Sequence, residues 1–199
     1  MLKFGKVLIM AISATAVMGL MVGTASANRL ASSGELLTAT WTEMVFTDSF
    51  GGTARCAVTL SGSLHSRTIT KTLGALIGHI NRASVGPCGT GSATILQASL
   101  PWNLRYLGFT GTLPNIGSIV ANVIGASFRV ITTTGVPCLF TSSTTQPVIG
   151  TFGLSSGVVR TVTVGGRLTS NEACAFGLRA VGSLSGTSAT ATALTITLI

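Results

Sequence analysis

Beyond the first 35 residues, hydrophobic and polar positions alternate along most of the chain. In the segment 55–60, Cys56, Val58 and Leu60 fall on one side of an extended backbone, and Arg55 and Thr59 fall on the other. A period of two is typical of a half-buried β-strand. The same alternation recurs in 104–113, 118–131, 158–164, 173–181 and 190–199. The pattern therefore predicts a chain built mainly from strands.

One segment departs from this period. Positions 69, 73, 76, 77 and 80 are all Ile or Leu, and their spacing is that of one face of a helix. Thr68 is suited to cap such a helix at its start, and Gly78 is suited to its end. We therefore expect a short helix over 68–78.

The domain organisation follows from uniform composition and regular spacing. Residues 28–199 contain no fixed-period repeat and no linker, which predicts a single domain. Many short strands about ten residues apart favour an all-β fold, a single antiparallel β-sandwich or barrel-like sandwich with one short helix. The alternation does not decide between a sandwich and a closed barrel. Residues 28–35 precede the first regular alternation and are expected to be a disordered lead.

The N-terminus has the pattern of a secretory signal peptide over residues 1–27. Lys3 and Lys6 precede an apolar run over 7–22, and the small residues Ala25, Ser26 and Ala27 follow it. The apolar run is shorter than the roughly 20 residues that a membrane-spanning helix needs. We therefore expect cleavage after Ala27, export of the chain, and no transmembrane segment in the mature protein.

The four cysteines, Cys56, Cys88, Cys138 and Cys174, all lie in the part expected to be exported. An even number in a secreted chain predicts two disulfides, for which three connectivities exist. Pairing within each half, Cys56 with Cys88 and Cys138 with Cys174, closes loops of similar size and is preferred. Structural zinc sites place two ligands within one short turn, a spacing that these cysteines lack. The two histidines do not supply the missing ligands, so no metal site is predicted.

Charged residues make up only 8% of the chain, against about 25% in an average soluble domain. Removing the two leader lysines from twelve basic residues leaves ten against four acids, a net charge of about +6. The cations are scattered and form no stripe, which argues against a nucleic-acid partner. A diffuse positive field favours anionic envelope polymers or another envelope component. Because the cations are not clustered, an ordinary solvated surface that is short of acids is the favoured interpretation.

Few residue types that perform catalysis are present. The chain has neither a G-x-S-x-G turn nor a glycine-rich phosphate-binding motif, so no catalytic residue and no cofactor is assigned. The sequence leans against an enzyme. An extracellular hydrolase that uses His65 with Asp48 or a nearby serine remains an alternative.

Two short motifs offer a candidate binding surface. His65 and Arg67 lie in a donor-rich segment, while Trp102, Arg105 and Tyr106 are side chains favoured at binding sites. For Trp102 a place in the core is the favoured interpretation, because its spacing of four from Tyr106 puts both rings on one strand face.

The same residues carry a family resemblance. The patterns C-x-V-T-L-x-G-S-x-H-S-R-T at 56–68 and L-P-W…Y…F-x-G-x-L-P-x-I at 100–116 resemble a group of uncharacterised secreted actinobacterial proteins. The resemblance covers about residues 50–140 and implies no particular activity, cofactor or partner.

These observations lead to one functional hypothesis and two alternatives. We expect a secreted, non-catalytic binding or structural module that works outside the cell or at its envelope. The alternatives are the hydrolase above and a barrel that carries an apolar ligand. The oligomeric state stays open.

Overall fold

The computed structural model describes residues 29–170, 174 and 180–199. Within them the chain forms fifteen strands and one 3₁₀ turn, Gln97–Ser99, which confirms the all-β prediction. The strands are β1 (Arg29–Ser32), β2 (Leu36–Asp48), β3 (Thr53–Leu64), β4 (Thr68–Thr70), β5 (Leu76–Thr90), β6 (Ser92–Ile95), β7 (Trp102–Thr112), β8 (Asn115–Ile124), β9 (Ser127–Ile131), β10 (Pro137–Thr141), β11 (Val148–Ser155), β12 (Val158–Ser170), β13 (Val181–Thr187), β14 (Thr190–Ala191) and β15 (Ile196–Leu198).

Eight of these strands form a closed antiparallel barrel. The order around the ring is β2, β3, β5, β7, β8, β11, β12 and β13, so each strand pairs with its neighbour in this chain order. Strand β13 then pairs with β2 and completes the ring. Of the two architectures that the alternation left open, the closed barrel is the one adopted. Closure removes the unpaired edges that a sandwich of the same strands would expose.

One end of the barrel, here called the disulfide end, is covered by β6, β9 and β10. Strand β9 lies between the other two, and β10 also pairs with the end of β12. Phe128 of β9 packs over the barrel interior, with its ring centre 5.2 Å from that of Phe46 and 5.3 Å from that of Trp102. These three rings close the disulfide end.

The opposite end, here called the terminal end, is covered by a three-stranded sheet in the order β15, β1 and β4. Leu30 of β1 is fully buried, and Ile69 of β4 and Ile196 of β15 are buried beside it. Both isoleucines line the same small cavity as Leu37 and Leu64 of the barrel wall. The sheet therefore continues the barrel core rather than forming a separate layer.

A β-bulge keeps the inward pattern of β2 in phase. The register shifts between Trp41 and Met44, so two adjacent residues, Thr42 and Glu43, face outward together. Trp41, Met44 and Phe46 consequently all point inward, and each is about 1% exposed. Without the extra residue, half of β2 would present polar side chains to the core.

Two aromatic rings of the core lie against glycines of another strand. A Cβ atom on Gly182 would lie 2.8 Å from the Phe140 ring, and one on Gly186 would lie 3.0 Å from Cδ1 of Trp41. Both glycines belong to β13. The absence of side chains there makes the room that the two aromatic rings occupy.

Two expectations for local structure are wrong. The segment 68–78 is not a helix: Thr68–Thr70 is β4, Leu76 begins β5, and Gly74 turns the chain between them with φ +77°. Strand pairing of β5 with β3 and β7 outweighs the local helical spacing. The lead segment 28–35 contains a strand, because Leu30 is held in the core between β4 and β15. The leader with its cleavage site at Ala27, and most of the strand candidate 173–181, lie outside the described residues.

Both disulfides have the preferred connectivity. Cys56 is bonded to Cys88, which joins β3 to β5, and Cys138 of β10 is bonded to Cys174. The sequence separations are 32 and 36 residues. Two such bonds indicate an oxidising or extracellular environment. Among the described residues, no helix has the length and apolar character needed to cross a membrane.

Candidate functional site

The candidate binding residues divide between the core and the surface. Trp102 and Tyr106 are 1% and 3% exposed, so neither side chain offers a surface to a partner. Nε1 of Trp102 donates a hydrogen bond to Oγ of Ser99, in the 3₁₀ turn, at 2.8 Å. Burial raises the pKa of the Tyr106 hydroxyl above its ordinary value. The predicted place of Trp102 in the core agrees with this burial. Trp102 and Tyr106 are therefore not part of the candidate binding surface.

The remaining candidates are on the outside of the molecule. His65 and Arg67 are exposed in the connection between β3 and β4. Arg105 is half-buried on the outer face of β7, where its Nη1 donates to the carbonyl oxygen of Gly74 at 2.9 Å. That bond ties the β4–β5 turn to the barrel wall, so Arg105 has a structural task of its own.

His65 lies far from Asp48, the other member of the hydrolase hypothesis. The two residues flank opposite ends of β3, which has twelve residues. At about 3.3 Å per residue this strand separates them by roughly 35 Å. A hydrogen bond between imidazole and carboxylate, which a Ser–His–Asp arrangement requires, is therefore not formed.

Asp48 instead joins two turns at the disulfide end. Its Oδ1 accepts from the backbone N–H groups of Phe50 and Gly52, both at 2.8 Å, and its Oδ2 accepts from the hydroxyls of Thr132 and Thr134. Burial alone raises the pKa of this carboxyl, but the hydrogen bonds outweigh burial and bring the pKa below the ordinary value of 3.8. The charged form is thus the form that the site stabilises.

The second histidine of the chain meets the first. His79 lies on the outer face of β5, and the centres of the His65 and His79 rings are 4.6 Å apart, with the ring planes at 89°. Nδ1 of His79 is buried and has no hydrogen-bond partner within the described part of the chain. The sequence showed two isolated histidines fourteen residues apart. Only the register between β3 and β5 brings them together.

The barrel interior is nearly filled. Three cavities lie along it, of about 40, 30 and 20 Å³, lined almost wholly by apolar side chains. An engineered cavity that binds benzene measures about 150 Å³. Within the described residues these interior cavities are much smaller than that, and both ends of the barrel are covered, so this interior is a packed core.

The outer surface carries unbalanced positive charge. Among the described acids, Asp48 is buried and Glu43 forms an ion pair with Arg55, while Glu35 is exposed. Six further arginines are exposed: Arg29, Arg67, Arg82, Arg129, Arg160 and Arg167. They are spread over β1, the β3–β4 connection, β5, β9 and β12. The exposed cations of the described residues therefore do not lie on a single strand.

Hydroxyl groups provide most of the remaining outer polarity. Ser and Thr account for about a quarter of the chain. Across neighbouring strands they bond to each other, as between Thr40 and Thr59 at 3.1 Å and between Thr47 and Ser183 at 2.6 Å. Such pairs stabilise a sheet without using charge, which accounts for the low charged fraction.

No set of three or more His, Cys, Asp or Glu side chains comes together within the described residues. Comparison with protein-family models, with curated proteins and with solved structures finds no match to the chain.

Proposed function

We propose that the protein is exported after cleavage following Ala27 and acts outside the cell or at its envelope as a non-catalytic binding or structural module. Two disulfides at one end of the barrel and a core closed at both ends support this proposal. Such a molecule offers its outer surface to partners. The resemblance to secreted actinobacterial proteins is in keeping with it.

The observation that carries the proposal is the surplus of exposed arginines over exposed acids. Apart from the Glu43–Arg55 ion pair, the described surface has six exposed arginines and one exposed acid, Glu35. Guanidinium groups bind phosphate and carboxylate oxygens through paired hydrogen bonds. We therefore propose anionic envelope polymers as the partner class, held by many weak contacts around a rigid body.

Binding of this kind is sensitive to salt. The Debye length is about 30 Å at 0.01 M salt and about 3 Å at 1 M, so exposed charges act over a distance only at low ionic strength. The test is sedimentation of the purified, disulfide-bonded protein with bacterial wall preparations that carry phosphate polymers, over this range of NaCl. Wall preparations stripped of those polymers by acid serve as the comparison.

Charge variants separate net charge from simple damage. Arg82→Gln combined with Arg160→Gln removes two exposed cations from different strands, and we expect several-fold weaker binding at low salt. Glu43→Gln combined with Arg55→Gln removes an ion pair with no change of net charge, and should bind as the parent does. The electrostatic proposal would be refuted if binding did not change with NaCl concentration. It would also be refuted if the two double variants weakened binding equally.

Export has a separate readout. The intact mass of the secreted protein should correspond to a chain that begins at Asn28 with both disulfides formed. A retained leader, or free thiols in the denatured, non-reduced protein, would contradict the proposed processing.

A further inference from the structure

The fold brings the only two histidines of the sequence into direct contact on the outside of the barrel. His79 projects outward from β5, where it pairs with Ser63 of β3. His65 follows the end of β3, and its backbone N–H donates to the carbonyl oxygen of Ile77 at 3.0 Å. Backbone pairing on both sides therefore fixes the backbone positions of the two histidines side by side.

One imidazole nitrogen at this contact is buried and lacks a hydrogen-bond partner. Nδ1 of His79 makes no hydrogen bond within the described residues, although burial of an unpaired polar atom is unfavourable. Two polar neighbours on the same face are engaged with each other, since Nδ2 of Asn81 donates to Oγ of Ser63 at 2.9 Å. His65 is exposed, so rotation of its ring is the movement that would uncover Nδ1 of His79 to a ligand from solvent.

The two rings are near enough to each other to bind one metal ion. With a metal–nitrogen bond of ~2.0 Å, the metal lies ~3.2 Å from each ring centre. Two imidazoles that meet at a right angle at the metal then have ring centres ~4.5 Å apart, whereas a tetrahedral angle places them ~5.2 Å apart. The His65 and His79 rings, before any rotation of His65, are 4.6 Å apart, which is nearer the right-angle value than the tetrahedral one. Square-planar or tetragonal sites of nitrogen and oxygen ligands suit Cu(II) or Ni(II).

We propose that His65 and His79 together bind one divalent copper ion, with rotation of the exposed His65 ring turning a nitrogen toward the ion. Copper is the favoured ion because it forms the most stable complexes of the first-row divalent series with such ligands. No further His, Cys, Asp or Glu completes the set within the described residues, so water or an external ligand fills the other positions. The four cysteines are held as disulfides and do not compete.

The test is titration of the purified, disulfide-bonded protein with Cu(II), followed by electron paramagnetic resonance and pulsed measurements that count coordinated imidazoles. We expect one equivalent bound through two imidazoles. His65→Gln should leave one imidazole and weaken binding at least tenfold. Zn(II), which favours the tetrahedral angle, should bind at least tenfold more weakly than Cu(II).

Two controls keep the result interpretable. Asn81→Ala alters the same face without removing an imidazole and should bind copper as the parent does. If the His79→Gln variant is unstable, the affinity of the His65→Gln variant for copper is sufficient to test the proposal. His65 is exposed, and circular dichroism can confirm that the His65→Gln variant is folded. A parent protein without two-imidazole coordination at one equivalent would overturn the proposal, as would an affinity that His65→Gln leaves unchanged. Both results leave the proposed envelope binding unaffected, since that rests on arginines.

Discussion

Replacement of Asp48 tests whether a single carboxylate holds two turns together at the disulfide end. The residue links the β2–β3 turn to the β9–β10 connection through four hydrogen bonds. Asp48→Ala removes all four acceptors. Asp48→Asn keeps an oxygen for the N–H groups of Phe50 and Gly52 but loses the negative charge.

The expected losses follow from which partners water can reach. Gly52 and Thr132 are buried, whereas Phe50 and Thr134 are exposed and can bond to solvent. Each buried donor left unsatisfied costs about 1–3 kcal/mol. Because the Thr132 hydroxyl still contacts that of Thr134, the total for Asp48→Ala is about 3 kcal/mol. Asp48→Asn forfeits mainly the charge-assisted part, about 1–1.5 kcal/mol.

Urea denaturation at several pH values measures both numbers. The folded-state pKa of Asp48 lies below its ordinary value of 3.8, so the unfolded chain binds the proton more tightly. The charged carboxylate therefore contributes stability that is complete above the unfolded pKa and is lost as the pH falls through the folded value. The stability difference between the parent and Asp48→Asn should be largest near pH 7 and should shrink below pH 3.8.

Two results would refute this reasoning. One is a loss for Asp48→Asn that equals or exceeds that for Asp48→Ala. The other is a difference between the parent and Asp48→Asn that stays constant or grows in acid. Thr134→Val is the matched control for Thr132→Val, since both remove a hydroxyl that donates to Oδ2. The buried Thr132 should matter more, and its effect should largely vanish in the Asp48→Ala background.

Two further predictions concern the core and the disulfides. Gly182→Ala places a Cβ atom 2.8 Å from the Phe140 ring and should lower the free energy of unfolding by about 1–3 kcal/mol. Adding Phe140→Leu should restore part of that stability. If thermal and urea denaturation show no loss for Gly182→Ala, the Phe140 ring can move aside at no cost. Replacing Cys56 and Cys88 together by Ala should cost about 4 kcal/mol, and the other cysteine pair should lose a similar amount because its loop has nearly the same length. Urea midpoints that differ widely between the two double variants would contradict the loop-entropy explanation.

The parts of the fold that follow from local chemistry could be predicted from the sequence. Inward positions such as Cys56 and Val58 alternate with outward Thr59, and this alternation is visible in the letters alone. The disulfide pairing was also predicted, because pairing within each half closes two loops of similar size. Local spacing failed over 68–78, where Leu73 is 71% exposed in a turn that Gly74 makes.

Strand β13 shows why other elements could not be predicted. Of its inward positions, Gly182 and Gly186 carry no side chain, and only Leu184 supplies the hydrophobic signal of a strand. The matching bulk comes from Phe140 and Trp41, which are distant in sequence. The contact between the two histidines could not be predicted either, because it depends on the register between β3 and β5, which no local sequence pattern shows.

Closure of the barrel has a consequence for how the chain can fold. The ring is completed when Leu184 of β13 pairs with Phe46 of β2, and the terminal end is covered when Leu198 of β15 pairs with Leu30 of β1. Each seam joins opposite ends of the sequence, so neither can form on a partly synthesised chain. Folding dominated by such distant contacts is slow. The barrel thus stays open until β13 and β15 have been synthesised, which would keep the chain unfolded for the export that we propose.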